Sequence, residues 1–189
     1  ENGKSHFPIN ELYYYKGRDG ERDLIILYGN TQALTTVGQY ELCGRILDVA
    51  EQLGCRYIIT LGGLKQEEKV ERPRLYCAAS DRETLKDALD LGAKIIGGRI
   101  CGVAGLLVGL CNLRGLKGFC LLGETPGLYP DVVAAREVLK ATCRLLHLKV
   151  NLSRLNKAVE ATNNILKAFG IVFPSIEERK REPEFRWLI

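Results

Sequence analysis

Short apolar runs alternate with amphipathic segments along most of this chain. The first clear run, Asp23 to Tyr28, is rich in branched residues and predicts a buried strand. From Thr36 onward apolar residues recur at helical spacing, and Gly54 stands where a helix terminator belongs. Cys55 to Leu61 repeats the strand pattern and stops at Gly62-Gly63. A strand, a helix and a second strand therefore follow one another in the first third of the chain.

The same alternation continues through the rest of the sequence. Ser80 opens an amphipathic helix in which Glu83 completes a capping box, and Gly92 closes it. Further strands are predicted at Arg74 to Ala79, Lys94 to Ile96 and Lys117 to Leu122. Further helices are predicted at Gly102 to Arg114, from Asp131 to about Leu148, and from a capping Asn151 to Phe169.

Strands separated by helices indicate an α/β fold, because parallel strands need helical crossovers that cover both faces of the sheet. We therefore predict a three-layer sandwich with a mostly parallel central sheet. The 189 residues suit one domain with a substantial core. The pattern places this α/β core domain at residues 1–170 and leaves a charged C-terminal tail at residues 171–189.

Charge and hydropathy exclude several classes of partner. The net charge of +4 is spread along the chain, and no basic patch of the kind that binds nucleic acid is present. The run Tyr13-Tyr14-Tyr15 has few basic neighbours and is typical of an edge strand or an interface patch. The longest nearly uncharged stretch, Ile100 to Asn112, is shorter than the roughly 20 residues that span a bilayer. Neither nucleic acid nor membrane is an expected partner.

The seven cysteines do not form a disulfide or metal-binding pattern. Their number is odd, they contain no CxxC pair, and most of them lie in apolar runs. Free cysteine in such positions behaves as a small buried apolar residue and suits the reducing cytosol. We expect a cytoplasmic protein without a bound metal.

No motif in the sequence assembles a catalytic centre. The phosphate-binding and hydrolase patterns GxxxxGK[ST], GxGxxG and GxSxG do not occur. An anion could still bind at the glycine-rich turn Gly98 to Gly105, where helix amides are exposed. Glu124 and Asp131 could form a carboxylate pair, or could serve a strand end and a helix start. We predict no catalytic residue, no cofactor and no enzymatic activity.

The C-terminal tail ends in an unusual way. Its charge cluster, flanked by two prolines, leads into the apolar tripeptide Trp187, Leu188 and Ile189. An apolar terminus on a charged tether is typical of an interaction peptide, and the alternative is that it docks back on the domain.

The stretch from Gly102 to Asp131 resembles the proteasome assembly chaperone 2 family in its archaeal branch. The matching pieces are the apolar helix GVAGLLVGL, the turn NLRGLKG, the strand into LLGETPG, and a proline-aspartate start to a helix containing AAREVL. DLIILYG and NLSRLNKAVE are also similar, so that the resemblance covers about residues 23–169. We call the segment Gly123, Glu124, Thr125, Pro126 and Gly127 the signature turn.

This resemblance implies a phosphorylase-like α/β sandwich without an established catalytic centre. It also implies self-association into homo-oligomers and binding to proteasome α-subunits or the assembled core particle. Family members that bind the core particle carry a C-terminal hydrophobic–tyrosine–any tripeptide, whereas here the aromatic residue, Trp187, stands one place earlier. The corresponding partner-binding residues are Trp187, Leu188 and Ile189. The alternative function is a nucleotide-binding enzyme related to the ATP-grasp superfamily, using the Gly98 to Gly105 turn and Glu124.

Overall fold

The structure is a computed structural model that describes residues 9–66, 72–98, 100, 102–127 and 131–168. Six strands and five helices follow one another in these residues. The strands are β1 Asn10–Tyr15, β2 Leu24–Gly29, β3 Tyr57–Lys65, β4 Leu75–Ala79, β5 Lys94–Ile95 and β6 Lys117–Thr125. The helices are α1 Thr36–Gln52, α2 Arg82–Asp90, α3 Gly102–Leu113, α4 Val132–Leu146 and α5 Ser153–Ala168.

A four-stranded sheet in the order β3-β6-β4-β5 forms the centre of the protein. β3 pairs with β6 and β4 pairs with β5 in parallel, whereas β4 and β6 run antiparallel. Most of the pairings are parallel, as the alternating pattern predicts, and one antiparallel pairing makes the sheet mixed. β6 lies between two strands and is buried from Gly118 to Glu124.

Helices cover both faces of this sheet. On one face α2 and α4 pack on β4 and β6 around a buried cluster that includes Phe119, Leu121 and Val138. On the other face α3 packs on β3 and β6 through Val108, Cys120 and Leu122, and α1 packs on α3. The single-domain three-layer sandwich predicted from the sequence is confirmed. None of the described helices combines the length and the hydropathy that a membrane span requires.

The start of α2 differs from the sequence prediction. Asp81, not Ser80, is the N-cap, because its carboxylate accepts hydrogen bonds from the amides of Glu83 and Thr84 at 2.8 and 3.0 Å. Ser80 instead donates to the Asp81 carboxylate and accepts from the amide of Gly118 on β6. An aspartate and a serine are equally good caps, so the sequence alone does not choose between neighbours.

The prediction of a buried strand at Asp23 to Tyr28 is wrong in its burial. β2 forms there, but among the described strands it pairs only with β1, in a separate two-stranded hairpin, and its last four residues are exposed. β1 contains the tyrosine run and is exposed along its whole length. An apolar run without polar alternation is typical of a strand covered on both faces, whereas here neither face of the hairpin is covered by the described residues.

Gly123 sets how closely α4 approaches the central strand. A Cβ atom at this position would lie 2.9 Å from Val138 Cγ2 and 3.1 Å from the carbonyl oxygen of Ala134. We expect Gly123→Ala to lower the free energy of unfolding by about 1–3 kcal/mol, because the helix must move away from the sheet. Urea denaturation followed by circular dichroism measures this change.

Gly109 on α3 is the matched control for this substitution. It is exposed, and a Cβ atom there would contact nothing within 4 Å. Gly109→Ala should therefore raise the free energy of unfolding by about 0.5–1 kcal/mol through helix propensity. Equal effects of the two substitutions would contradict the close packing assigned to Gly123.

Candidate functional site

The signature turn lies where the central strand leaves the sheet. Gly123, Glu124 and Thr125 are the last residues of β6, and the buried Pro126 follows. Gly127 adopts a φ of +68°, which glycine reaches without strain, and its amide donates to Thr125 Oγ1 at 3.2 Å. The turn is thus shaped by its own residues before the chain continues towards α4.

Glu124 is a buried carboxylate with one main partner, Arg74. Only 3% of Glu124 is exposed. The Arg74 guanidinium donates through Nε to Oε2 at 3.0 Å and through its terminal nitrogen to Oε1 at 2.7 Å. The backbone amide of Arg74 donates to Oε2 at 3.1 Å, and the amide of Glu124 donates to the Arg74 carbonyl at 3.0 Å. Side chain and backbone together hold the start of β4 against the end of β6.

This geometry determines the charge of Glu124. Hydrogen bonds from Arg74 hold the pKa of the Glu124 carboxyl below its ordinary value, against the opposing effect of burial, and Lys94 adds a smaller attraction. The guanidinium also lies 6.0 Å from the ring centroid of Tyr76, within the range of a cation–π contact. Glu124 is therefore ionised and fully engaged at neutral pH.

The two carboxylates considered as a catalytic pair have separate structural contacts. Asp131 is the N-cap of α4, and its Oδ1 accepts from the amides of Val133 and Ala134, both at 3.1 Å. Among the described residues, Glu124 accepts hydrogen bonds from Arg74 and from none of the amides of the turn. The sequence-based alternative of a strand end and a helix start is the one that these contacts match.

The remaining reactive side chains also take structural positions. Burial raises the pKa of the Cys111 thiol to about 11, so that little thiolate exists at neutral pH. The thiols of Cys43, Cys77 and Cys120 are likewise buried and have raised pKa values. No group of three or more potential metal ligands occurs among the residues that the structure describes. The turn from Gly98 to Gly105 lies partly outside the described residues.

An exposed apolar surface is the other notable feature of the described chain. We call it the hairpin surface; it comprises the large apolar residues of β1 and β2. They are Leu12, Tyr13, Tyr14, Tyr15, Ile26, Leu27 and Tyr28. The exposed fraction is 50% for Leu12 and 64% for Tyr14, although the Tyr14 hydroxyl donates to Asp23 at 2.8 Å. A group of exposed large apolar residues of this kind is typical of an interaction surface.

The C-terminal residues singled out by the sequence lie elsewhere. Trp187, Leu188 and Ile189 fall outside the described residues, as does the rest of the tail. Their role in partner binding stays a prediction.

Comparison with known proteins places these features in a family. The model of the PAC2 family matches residues 1–169. The chain belongs to the PAC2 family. This confirms the resemblance inferred from the stretch Gly102 to Asp131, and the family match extends its coverage from about residue 23 to residue 1.

Solved structures of other proteins share the architecture described above. PbaB of Pyrococcus furiosus, described as an archaeal proteasome activator, is 35% identical with a TM-score of 0.82, over 90% of this chain and 75% of that one. PbaA of the same organism, described as an archaeal homolog of proteasome-assembly chaperone, is 27% identical with a TM-score of 0.69, over 90% and 72%.

A curated relative is also similar to this chain in sequence. The uncharacterized protein MJ1210 of Methanocaldococcus jannaschii is 34% identical over 148 residues, which is 77% of this chain and 57% of that protein. The chain thus spans little more than half the length of this relative.

Sequence reasoning found Glu124 but missed Arg74 as its partner. Arg74 is separated from Glu124 by 50 residues, and in the sequence it marks only the start of a strand. The available signal was the position of Glu124 itself, because a charged residue at the end of an otherwise buried strand requires a partner.

The Arg74–Glu124 pair generates a stability prediction. Glu124→Gln should lower the free energy of unfolding at pH 7 by about 1–3 kcal/mol, because two charge-assisted hydrogen bonds are weakened in a buried place. Since Arg74 holds the folded pKa below the ordinary 4.5, the contribution of the pair is complete above about pH 4.5 and is lost as the pH falls below it. Urea titrations between pH 7 and pH 3 measure both effects.

The control for this prediction is Glu83→Gln. Glu83 pairs with Lys117 at the surface, where its side chain is 72% exposed, so the loss should stay below about 1 kcal/mol. A native chain whose stability falls with acid no more steeply than that of Glu124→Gln would contradict the assignment of a depressed pKa to Glu124.

Proposed function

We propose that this protein is a non-enzymatic, proteasome assembly chaperone-like protein of the cytoplasm that binds proteasome α-subunits or the assembled core particle. Its partners are proteins rather than nucleic acid or membrane. The observation that carries the proposal is the likeness to PbaB, which combines 35% identity with a TM-score of 0.82 over most of this chain.

Two features of the site support a binding role over catalysis. The carboxylates that sequence analysis singled out, Glu124 and Asp131, are both engaged in holding the fold together. The buried thiols are protonated at neutral pH because burial raises their pKa values. The hairpin surface is instead exposed and apolar, which suits a protein partner.

Native mass spectrometry with recombinant α-subunits and core particle from the same organism tests this function. We expect the full chain to form a defined complex with one of the two, and an isolated proteasome β-subunit serves as the control partner. If neither α-subunits nor core particle bind, the proposal fails.

A second arm of the experiment locates the contact. Deleting Trp187, Leu188 and Ile189 should weaken the complex if the apolar terminus docks in the partner. Binding that persists unchanged after the deletion would place the contact on the folded domain and contradict the role proposed for these three residues.

We further propose that the protein is a homo-oligomer in which the hairpin surface of one copy contacts the hairpin surface of a second copy. A two-stranded hairpin exposed on both faces is marginally stable alone, and neither outer edge pairs with another described strand. The same edge on two copies is self-complementary, because antiparallel pairing of β1 with β1 is a two-fold operation. Glu11 is the one charged residue of β1, so little like-charge repulsion opposes this pairing.

Leu12→Lys tests this association. A lysine on an exposed edge strand opposes pairing with another strand, and we expect the variant to sediment as a smaller species than the native chain in analytical ultracentrifugation. Leu113→Lys is the matched control, since Leu113 at the end of α3 is 81% exposed and lies outside the hairpin surface. A native chain that sediments as a monomer, or a Leu12→Lys variant that keeps the native oligomer, would contradict the proposal.

A further inference from the structure

A cavity of about 570 Å³ lies beside the Arg74–Glu124 pair, on the face of the sheet that α2 and α4 cover. The start of β4, the start of β5, the last turns of α4 and the segment that joins α4 to α5 surround it. Its polar lining consists of Arg74, Lys94, Glu137, Lys140 and Arg144. A volume of this size is typical of small-molecule sites, which span about 300–1,000 Å³.

The lining is unequally charged, with four cations and one carboxylate. Glu137 is shared, because Lys140 donates to it at 3.0 Å while Arg136, outside the lining, donates at 3.1 Å. The charge of Arg74 is offset by Glu124. The other two cations, on Lys94 and Arg144, have no carboxylate partner within the described residues.

Arg144 is positioned although its charge is not neutralised. Its guanidinium donates to the carbonyl oxygen of Leu91 at 2.9 Å, which fixes the side chain against the end of α2. The neutral carbonyl accepts from one N–H group of the guanidinium and does not neutralise its positive charge. Lys94 is exposed at the start of β5, two residues after Gly92 in the same lining. A fixed guanidinium and an accessible ammonium therefore face one cavity.

The rest of the cavity wall is apolar. It is formed by Pro73, Leu75, Cys143, Val150 and Leu152, together with Gly92. A ligand that fits both parts needs an anionic group and an apolar body. A phosphate dianion matches the two cations without carboxylate partners and accepts hydrogen bonds from both lysine and arginine.

We propose that this cavity binds a small phosphate ester with an apolar or aromatic body, held by Lys94 and Arg144. Lys140 assists them, because its partner Glu137 also accepts from Arg136 and so neutralises Lys140 only in part. Such a site goes beyond the proposed binding of proteasome subunits and is independent of it. Glu124 does not contact the ligand; it positions Arg74 at the edge of the cavity.

Isothermal titration calorimetry of the full chain at pH 7.5 tests this site with 1-naphthyl phosphate as the probe. We expect saturable binding that weakens as salt is added, because the contact is electrostatic. The variant Lys94→Ala/Lys140→Ala should bind about tenfold or more weakly, since two charge-assisted contacts are lost. Both lysines are exposed side chains, and thermal melting verifies that the variant is folded.

Arg45→Ala is the control, because it also removes a positive side chain. Arg45 is exposed on α1, on the opposite face of the sheet, so its removal should leave the affinity unchanged. 1-Naphthol tests the apolar body alone, and inorganic phosphate tests the anion alone; each should bind at least about tenfold more weakly than the ester. No saturation by 1-naphthyl phosphate in the millimolar range, equal binding by naphthol or phosphate, or equal affinity of the double-lysine variant would each overturn the proposal.

Discussion

The fold depends on the burial of one central strand. β6 is covered by helices on both faces and by β3 and β4 on both edges, and its residues from Gly118 to Glu124 are removed from water. A charged residue at the end of such a strand is costly unless it is paired. Arg74 meets that requirement with two side-chain donors and a backbone amide, and it brings the start of the antiparallel neighbour β4 to the correct register. At the signature turn, the same two residues, Arg74 and Glu124, therefore form both the ion pair and the backbone hydrogen bond between the strands.

The parts of this structure that sequence could predict are those governed by local periodicity. The helices from Thr36 and Gly102 and the strands from Lys117 and Leu75 formed close to their predicted bounds because their patterns are local. Arg74 could not be assigned to Glu124 from the sequence, because the two residues are 50 positions apart and meet only through the order of the strands in the sheet. The spacing of residues along the chain does not indicate that order. The antiparallel run of β4 against β6 was hidden for the same reason.

The hairpin illustrates a different limit of sequence patterns. The run Asp23 to Tyr28 predicted a buried strand, because an uninterrupted apolar run is what a strand covered on both faces requires. The described residues nevertheless leave this strand and its partner β1 exposed. The association proposed for the hairpin surface would cover this strand with a second copy and supply the burial that the pattern predicts. The burial prediction is therefore wrong for a single copy and consistent with the proposed association. The shift of the α2 cap from Ser80 to Asp81 has another cause, because these neighbouring residues have equal capping propensity.

These constraints also explain why family membership determines the fold more directly than it determines activity. Several residues in the segment that carries the resemblance, from Gly102 to Asp131, have structural roles. Gly123 admits α4, Glu124 binds Arg74, Gly127 turns the chain, and Asp131 caps the next helix. Both oxygens of the Glu124 carboxylate and Oδ1 of Asp131 are engaged in this way. Asp131 Oδ2 is buried without a hydrogen-bond partner among the described residues. Recognition must then come from surfaces outside the signature turn. The surfaces proposed for this recognition are the exposed hairpin and the cationic cavity beside Arg74. Neither includes the central strand, so a change in partner or ligand would leave that strand and its charge pair as they are.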